Sequence, residues 1–143
     1  MTDLTVTWPG YQDDVSTQAT VTKLVATEDC EVLRAFGTEM RILLSGADTG
    51  GKLAMCLETT PPGGGPPPHY HLNEDEWFYP LSGEIEFLLD GKWQAAAVGT
   101  AVFVPRGVVH TFRNAGDTPS KLLVQTTPAG FDIFFERAAA EFA

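Results

Sequence analysis

An all-β fold closed by one short C-terminal helix is what this sequence predicts, and three observations carry it. Apolar stretches of strand length recur along the chain, punctuated by Gly, Asp and Pro. Asp90-Gly91 stands between two of them as a hairpin turn signal. Past residue 130 the apolar spacing becomes helical, at Phe131, Phe134, Phe135, Ala138 and Phe142.

The elements follow in order. Residues 1–20 are polar, with few periodic apolar positions, and Trp8-Pro9-Gly10-Tyr11 is their one local anchor. They read as an arm that lies on a partner subunit rather than as a core strand. The stretch lacks the basic start and apolar centre of a signal peptide. The barrel is expected over residues 21–127. Its strands begin near Val21 and recur through Glu31–Phe36, Glu39–Leu44 and Leu53–Glu58. Residues 46–51 form the loop between the last two. Asp48-Thr49-Gly50 in that loop matches an aspartic-protease tripeptide but lacks its apolar flanks.

Gly63 to Pro68 is a Gly-Pro run. Neither side is long enough for an independent barrel, so it reads as a tight path into the next segment and not as a linker. Proline fixes φ and disfavours helix in its predecessor, so residues 66–71 are expected to be extended. Residues 72–75 form a polar turn, with Glu74 and Asp75 solvated. Glu76-Trp77-Phe78-Tyr79 is the next strand. Residues 84–89 alternate Glu84 and Glu86 with inward Ile85 and Phe87, and the hairpin returns through Lys92-Trp93-Gln94. Ala101–Val104, Val108–Arg113 and Leu122–Gln125 complete the strands. Residues 128–143 form the helix, burying its phenylalanines against the barrel or a partner; packing is favoured over a role as a substrate lid.

Composition excludes several classes. The 143 residues fit one domain, 43% hydrophobic. A net charge of −10 argues against nucleic acid and against anionic membrane surfaces. No apolar run is long enough for a transmembrane helix. Cys30 and Cys56 form no CxxC and read as free thiols, which fits a cytoplasmic protein.

All three histidines fall in two Gly/Pro-punctuated segments. His69 and His71 are two apart, so an extended backbone aims both rings at one point. A turn over residues 72–75 brings Glu76 back beside them. His110 follows Pro105-Arg106-Gly107, a turn signal. Three imidazoles and a carboxylate are a complete ligand set for a divalent transition metal. Affinity alone does not choose among Fe, Mn, Ni, Co and Zn. Phe78 shares the face of Glu76, whereas Trp77 and Tyr79 point outward and Tyr70 lies opposite the histidines. Phe78, Phe87 and Phe112 suit the wall of a pocket for a flat aromatic ligand, or ordinary barrel core, above all for Phe87. Arg106 reads as a solvent-facing turn residue before it reads as an anchor for an anion.

Gly63, His69, His71, Glu76 and Gly83, then Gly99, Pro105, Gly107, His110 and Asn114, fill the two motifs of the cupin family at every defined position. The sequence therefore resembles a cupin. That resemblance implies a double-stranded β-helix, or jelly-roll barrel, with one divalent transition metal held near one mouth by His69, His71, Glu76 and His110. It also implies a homodimer. Residues 66–79, with Pro128-Ala129-Gly130-Phe131 and Phe134-Phe135-Glu136, are similar to single-domain cupins of the quercetin 2,3-dioxygenase type. The implied activity is metal-dependent oxidative ring opening of an enolic or flavonol-type small molecule, with Glu76 both ligand and catalytic base. Pro80 departs from the pattern and predicts a bulge or early strand end. Thr100 replaces a common aspartate. Two alternatives stand beside the dioxygenase: a metal-dependent isomerase, cyclase or decarboxylase, and a small-molecule binder without turnover.

Overall fold

The computed structural model describes residues 21–141. The expected arm over residues 1–20 and the helical Phe142 lie outside the described residues. Two antiparallel sheets form the barrel. Six strands make the larger one: β1 (Leu33–Ala35), β2 (Thr38–Leu44), β3 (Ala54–Thr60), β9 (Ser120–Thr127), β4 (Asp75–Ser82) and β7 (Val102–Val104), in that spatial order. The smaller sheet is β6 (Lys92–Ala96), β5 (Ile85–Leu89) and β8 (Thr111–Asn114). One helix, α1 (Phe131–Glu141), follows β9. The architecture is an all-β double-stranded β-helix with a short C-terminal helix.

The inner face of the larger sheet is covered in two parts. Over β9, β4 and β7 lies the smaller sheet, and Phe78, Ile85, Phe87, Val104, Phe112, Leu122 and Val124 fill the space between. Over β1–β3 lies α1, whose Phe135 packs on Ala35, Met40 and Cys56. Buried Asp132 pins the helix: its carboxylate accepts from Gly46 N at 2.9 Å and from Gly130 N at 3.1 Å. Helix and loop touch so closely that a Cβ on Gly46 would fall 2.8 Å from the Ala129 Cβ.

Most strands lie where their patterns place them. The Asp90-Gly91 turn has φ of 51° and 75°, the left-handed pair that a two-residue hairpin requires. At Pro80 the register of β4 against β9 shifts before Ser82, as a bulge. The strand continues because β7 pairs only as far as Phe78, so the missing proline N–H deprives no partner.

The start of the barrel differs from expectation. Val21 and Leu24 are exposed and outside any strand, and the first strand begins at Leu33. Residues Thr27–Asp29 form a 3₁₀ turn instead. Arg41 holds it by donating to the carbonyls of Thr27 and Cys30 at 3.2 and 2.6 Å. Local capture of these carbonyls replaces the ladder that a strand would have made. The Asp48 loop is structural too, since Asp48 accepts from Ser45 N at 2.8 Å and pairs with Lys23 at 2.6 Å.

The two motifs are joined backbone to backbone. His69 and His110 exchange N–H···O bonds of 3.0 and 2.9 Å, and Gly107 N donates to His71 O at 2.7 Å. Asn114 donates its amide to Thr60 O and Thr118 O at 2.9 and 2.7 Å. Gly65 runs so close to β8 that a Cβ would overlap the Phe112 carbonyl oxygen, and its φ is +152°. Gly65→Ala should therefore destabilise the protein by more than about 2 kcal/mol. Urea unfolding checks this, and a near-neutral value would show that the segment can shift away at little cost.

Candidate metal centre and cavity

His69, His71, Glu76 and His110 come together as one cluster. One ligand atom from each lies within 4.8 Å of all the others. The extended path after Pro66–Pro68 supplies His69 and His71, β4 supplies Glu76, and the residue before β8 supplies His110. His69 belongs to an isolated bridge rather than a named strand, and the i, i+2 spacing still converges both rings.

The ring tautomers follow from hydrogen bonding. His69 Nδ1 is 2.8 Å from Pro67 O and His110 Nδ1 is 2.9 Å from Val108 O. A carbonyl oxygen only accepts, so both Nδ1 atoms carry hydrogen, and Nε2 is left facing the cluster, a donor while a ring is charged and a lone pair for an ion once it is neutral. His110 Nε2 lies 2.9 Å from Glu76 Oε2. His71 Nε2 approaches the same oxygen at 2.8 Å but out of line, and stays buried without a hydrogen-bond partner. Glu76 is buried, which pushes its pKa up, yet the neighbouring His110 and His71 overcome this and hold it at about 2. Burial pushes the His69 pKa down. For His71 burial acts in the same direction, but Glu76 and Glu74 beside it win and raise it.

A buried carboxylate held ionised, ring nitrogens turned toward it and one orphaned buried ring nitrogen suit a divalent transition metal. Carbonyl anchoring of Nδ1 is the usual way a protein orients such a ligand. Glu74 departs from the solvated role expected of it. It is half-buried, with its carboxylate 3.7 Å from His71 Nδ1, because the chain folds over it at Gly130. Asp75 and Arg106 instead satisfy each other, through Arg106 N at 3.0 Å and Nε at 3.1 Å, so Arg106 does not reach into the site.

The cluster forms one wall of a cavity of about 440 Å³ between the two covers of the large sheet. Phe78 and Phe112 line it. Phe87 does not: it lies behind Phe78, ring centroids 5.1 Å apart, as barrel core. Its inward alternation on β5 points it at the core of the barrel, out of reach of the opening.

Further residues line the cavity that the sequence did not place there, among them Phe36, Thr38, Glu58, Phe131 and Phe134, and also Tyr70, which was expected on the face opposite the histidines. Phe36 sits at a positive φ of 53° in the β1–β2 turn and stacks on Phe134 at 6.2 Å. Phe131 of α1 packs edge-on to His71 at 5.5 Å. The helix thus packs through Phe135 and also walls the cavity with Phe131 and Phe134. Glu58 could have been found by alternation, since Ala54, Cys56 and Glu58 share one face of β3.

Fold and cluster together define a β-helical barrel that carries three histidines and a glutamate on its inner wall. The comparisons with known proteins agree. The family model described as "Cupin domain" matches residues 56–126. Protein SchB of Streptomyces halstedii is 30% identical over 107 residues, covering 74% of this chain and 78% of that protein. Polyketide synthase CurC of Streptomyces cyaneus is 28% identical, covering 74% and 70%. Among solved structures, a predicted oxalate decarboxylase from Thermotoga maritima superposes with a TM-score of 0.70 at 26% identity, covering 74% and 99%. The polyketide cyclase RemF from Streptomyces resistomycificus gives 0.66 at 25% identity, covering 75% and 80%. The chain belongs to the cupin superfamily.

Among the described residues no helix is long and apolar enough to cross a membrane.

Proposed function

We propose that this protein is a metal-dependent cupin enzyme that closes or isomerises a ring on an enolisable, aromatic, carbonyl-rich small molecule. The observation that carries the reading is a His₃-Glu cluster set in the wall of a cavity that six phenylalanines also line. Its likeness to CurC and to the cyclase RemF supports this ring-forming alternative over oxidative ring opening of a flavonol.

His69, His71, Glu76 and His110 would hold the ion. A bound divalent metal supplies Lewis acidity that makes a bound enol or phenol easier to deprotonate. The chain's own residues do the rest. Phe78, Phe112 and Phe131 present flat apolar faces that orient aromatic rings and exclude water. Glu76, ionised beside His71 and His110, is the cluster's own base.

The test is incubation of metal-reconstituted protein with a linear aromatic poly-β-ketone mimic and with quercetin, following products by mass and dissolved oxygen by electrode. A cyclised or isomerised product formed without oxygen uptake is expected. Oxygen consumption with quercetin would replace this reading by the dioxygenase. No product from either substrate would leave a binding protein.

A further inference from the structure

Glu58 is a buried carboxyl that the metal cluster does not use. It is 5% exposed and lines the same cavity as the cluster. Its place in the sheet sets it apart from Glu76. Glu58 pairs with Leu122 on β9, whereas Glu76 pairs with Thr126 on the other side of that strand. Four residues along β9 and two strand spacings separate their backbones by roughly 17 Å, at about 3.4 Å per residue and 4.8 Å per strand. Both side chains reach into the cavity between them.

The surroundings of Glu58 keep it neutral. Among the described residues no lysine or arginine lines the cavity. Its cross-strand neighbours are Met40 on β2 and Leu122 on β9, and α1 contributes Phe135 to the same cavity. Titratable groups lining the same cavity include His69, His71, Glu74 and Glu76, of which Glu76 acts on Glu58 and repels a second anion; on its own strand stands the Cys56 thiol, itself pushed up to about 12. Asp132 and Glu136 of α1 act on Cys56. Only the Thr38 hydroxyl favours the charged form. Burial dominates and raises the Glu58 carboxyl to about 7. A buried acid without a cation is stable in its protonated form, and that form is a hydrogen-bond donor.

We propose that Glu58 is the specificity-determining donor of this cavity, giving a hydrogen bond to a carbonyl oxygen on a flat aromatic substrate whose other polar end meets the His-Glu cluster. The inference rests on the reading of the cavity as a site for carbonyl-bearing aromatic molecules. It narrows that class to molecules with two separated oxygen functions, one for each carboxyl-bearing wall.

The test uses binding, so it is independent of turnover. Flavone is the probe, because it is flat, carries a carbonyl acceptor and does not titrate near neutrality. Its affinity is measured by tryptophan quenching from pH 5.5 to 8.5 on the full chain, both metal-stripped and zinc-loaded. The wild type should bind evenly below pH 6.5 and lose about tenfold in affinity per pH unit well above 7, as the competent protonated fraction falls. Glu58→Gln keeps a donor at every pH and should remove that loss, while Glu58→Leu should bind weakly throughout. An unchanged pH profile in Glu58→Gln, wild-type binding by Glu58→Leu, or no flavone binding by the wild type at pH 6 would each overturn the proposal. Should the variants fail to fold, the protonated-carboxyl infrared band of wild-type protein at pH 6 must shift on adding flavone; an unmoved band overturns it equally. Absence of ring-closing activity beside the expected flavone profile would remove the proposed reaction and uphold the role of Glu58.

Discussion

Replacing His69 or His110 with alanine should strip the metal from the protein while leaving the barrel folded. Each ring is anchored through Nδ1 to a carbonyl, Pro67 for His69 and Val108 for His110, so Nε2 is held in place for the ion before it arrives. Loss of an outer partner of a metal ligand alone costs about 10- to 100-fold in affinity, so loss of the ligand itself should exceed about 100-fold. Elemental analysis after dialysis against a weak chelator should give near one ion per chain for the wild type and below about a tenth for either variant. His69 is only partly buried, so its truncation should leave stability nearly intact. His110 is buried against Phe78, with centroids 5.9 Å apart, and its truncation should cost a further 1–3 kcal/mol or so. Wild-type metal content in both variants would refute the ligand assignment, as would a wild-type chain that retains no divalent ion.

Glu58→Gln should stabilise the protein at alkaline pH and do almost nothing under acid conditions. The carboxyl titrates near 4.5 in the unfolded chain and at about 7 in the folded one, raised by burial. A raised folded value means that the folded state keeps a proton the unfolded state has released. Stability is then fully present below the unfolded value and is lost as pH rises through the folded one. At 1.36 kcal/mol per pH unit, the loss reaches about 3 kcal/mol by pH 8. Glutamine is neutral at every pH and removes the dependence. The difference between variant and wild type in urea unfolding should therefore be small at pH 5 and grow to about 3 kcal/mol at pH 8. Glu76 does not blur this window. Its value is depressed to about 2, so the stability it adds is lost only as pH falls from its unfolded value near 4.5 toward 2. A difference that stays constant from pH 5 to pH 8 would show that Glu58 is charged in the folded protein.

The cluster was legible because metal binding constrains residue type and local spacing together. His69 and His71 share a face through the two-residue repeat of an extended chain, and a turn returns Glu76 to them. Their joining to His110 needed only that the two Gly/Pro segments lie side by side, which the His69–His110 bridge achieves. The strands were legible for the same reason, since alternation is local. Local pattern misled at the start of the barrel: a strand was expected near Val21, whereas the first one begins at Leu33, after a 3₁₀ turn whose carbonyls Arg41 captures.

Phe87 and Glu74 show the limit from two sides. Inward alternation on β5 is real for Phe87, but alternation says only which face a side chain takes, not whether that stretch of face meets core or cavity. Glu74 lies in a polar run, and only the later chain, crossing over it at Gly130, half-buries it.

The sequence by itself determined the all-β class, the hairpin at Asp90-Gly91, the cluster of His69, His71, Glu76 and His110, and the helix after residue 130, because each depends on contacts or periodicities close along the chain. The tertiary structure alone decided that α1 covers β1–β3, that Phe36, Phe131 and Phe134 close around one cavity, and that Glu58 stands within it as a buried acid. Those facts depend on how two covers share one sheet face. That division is set by packing between segments as much as a hundred residues apart, for which no local pattern carries a signal.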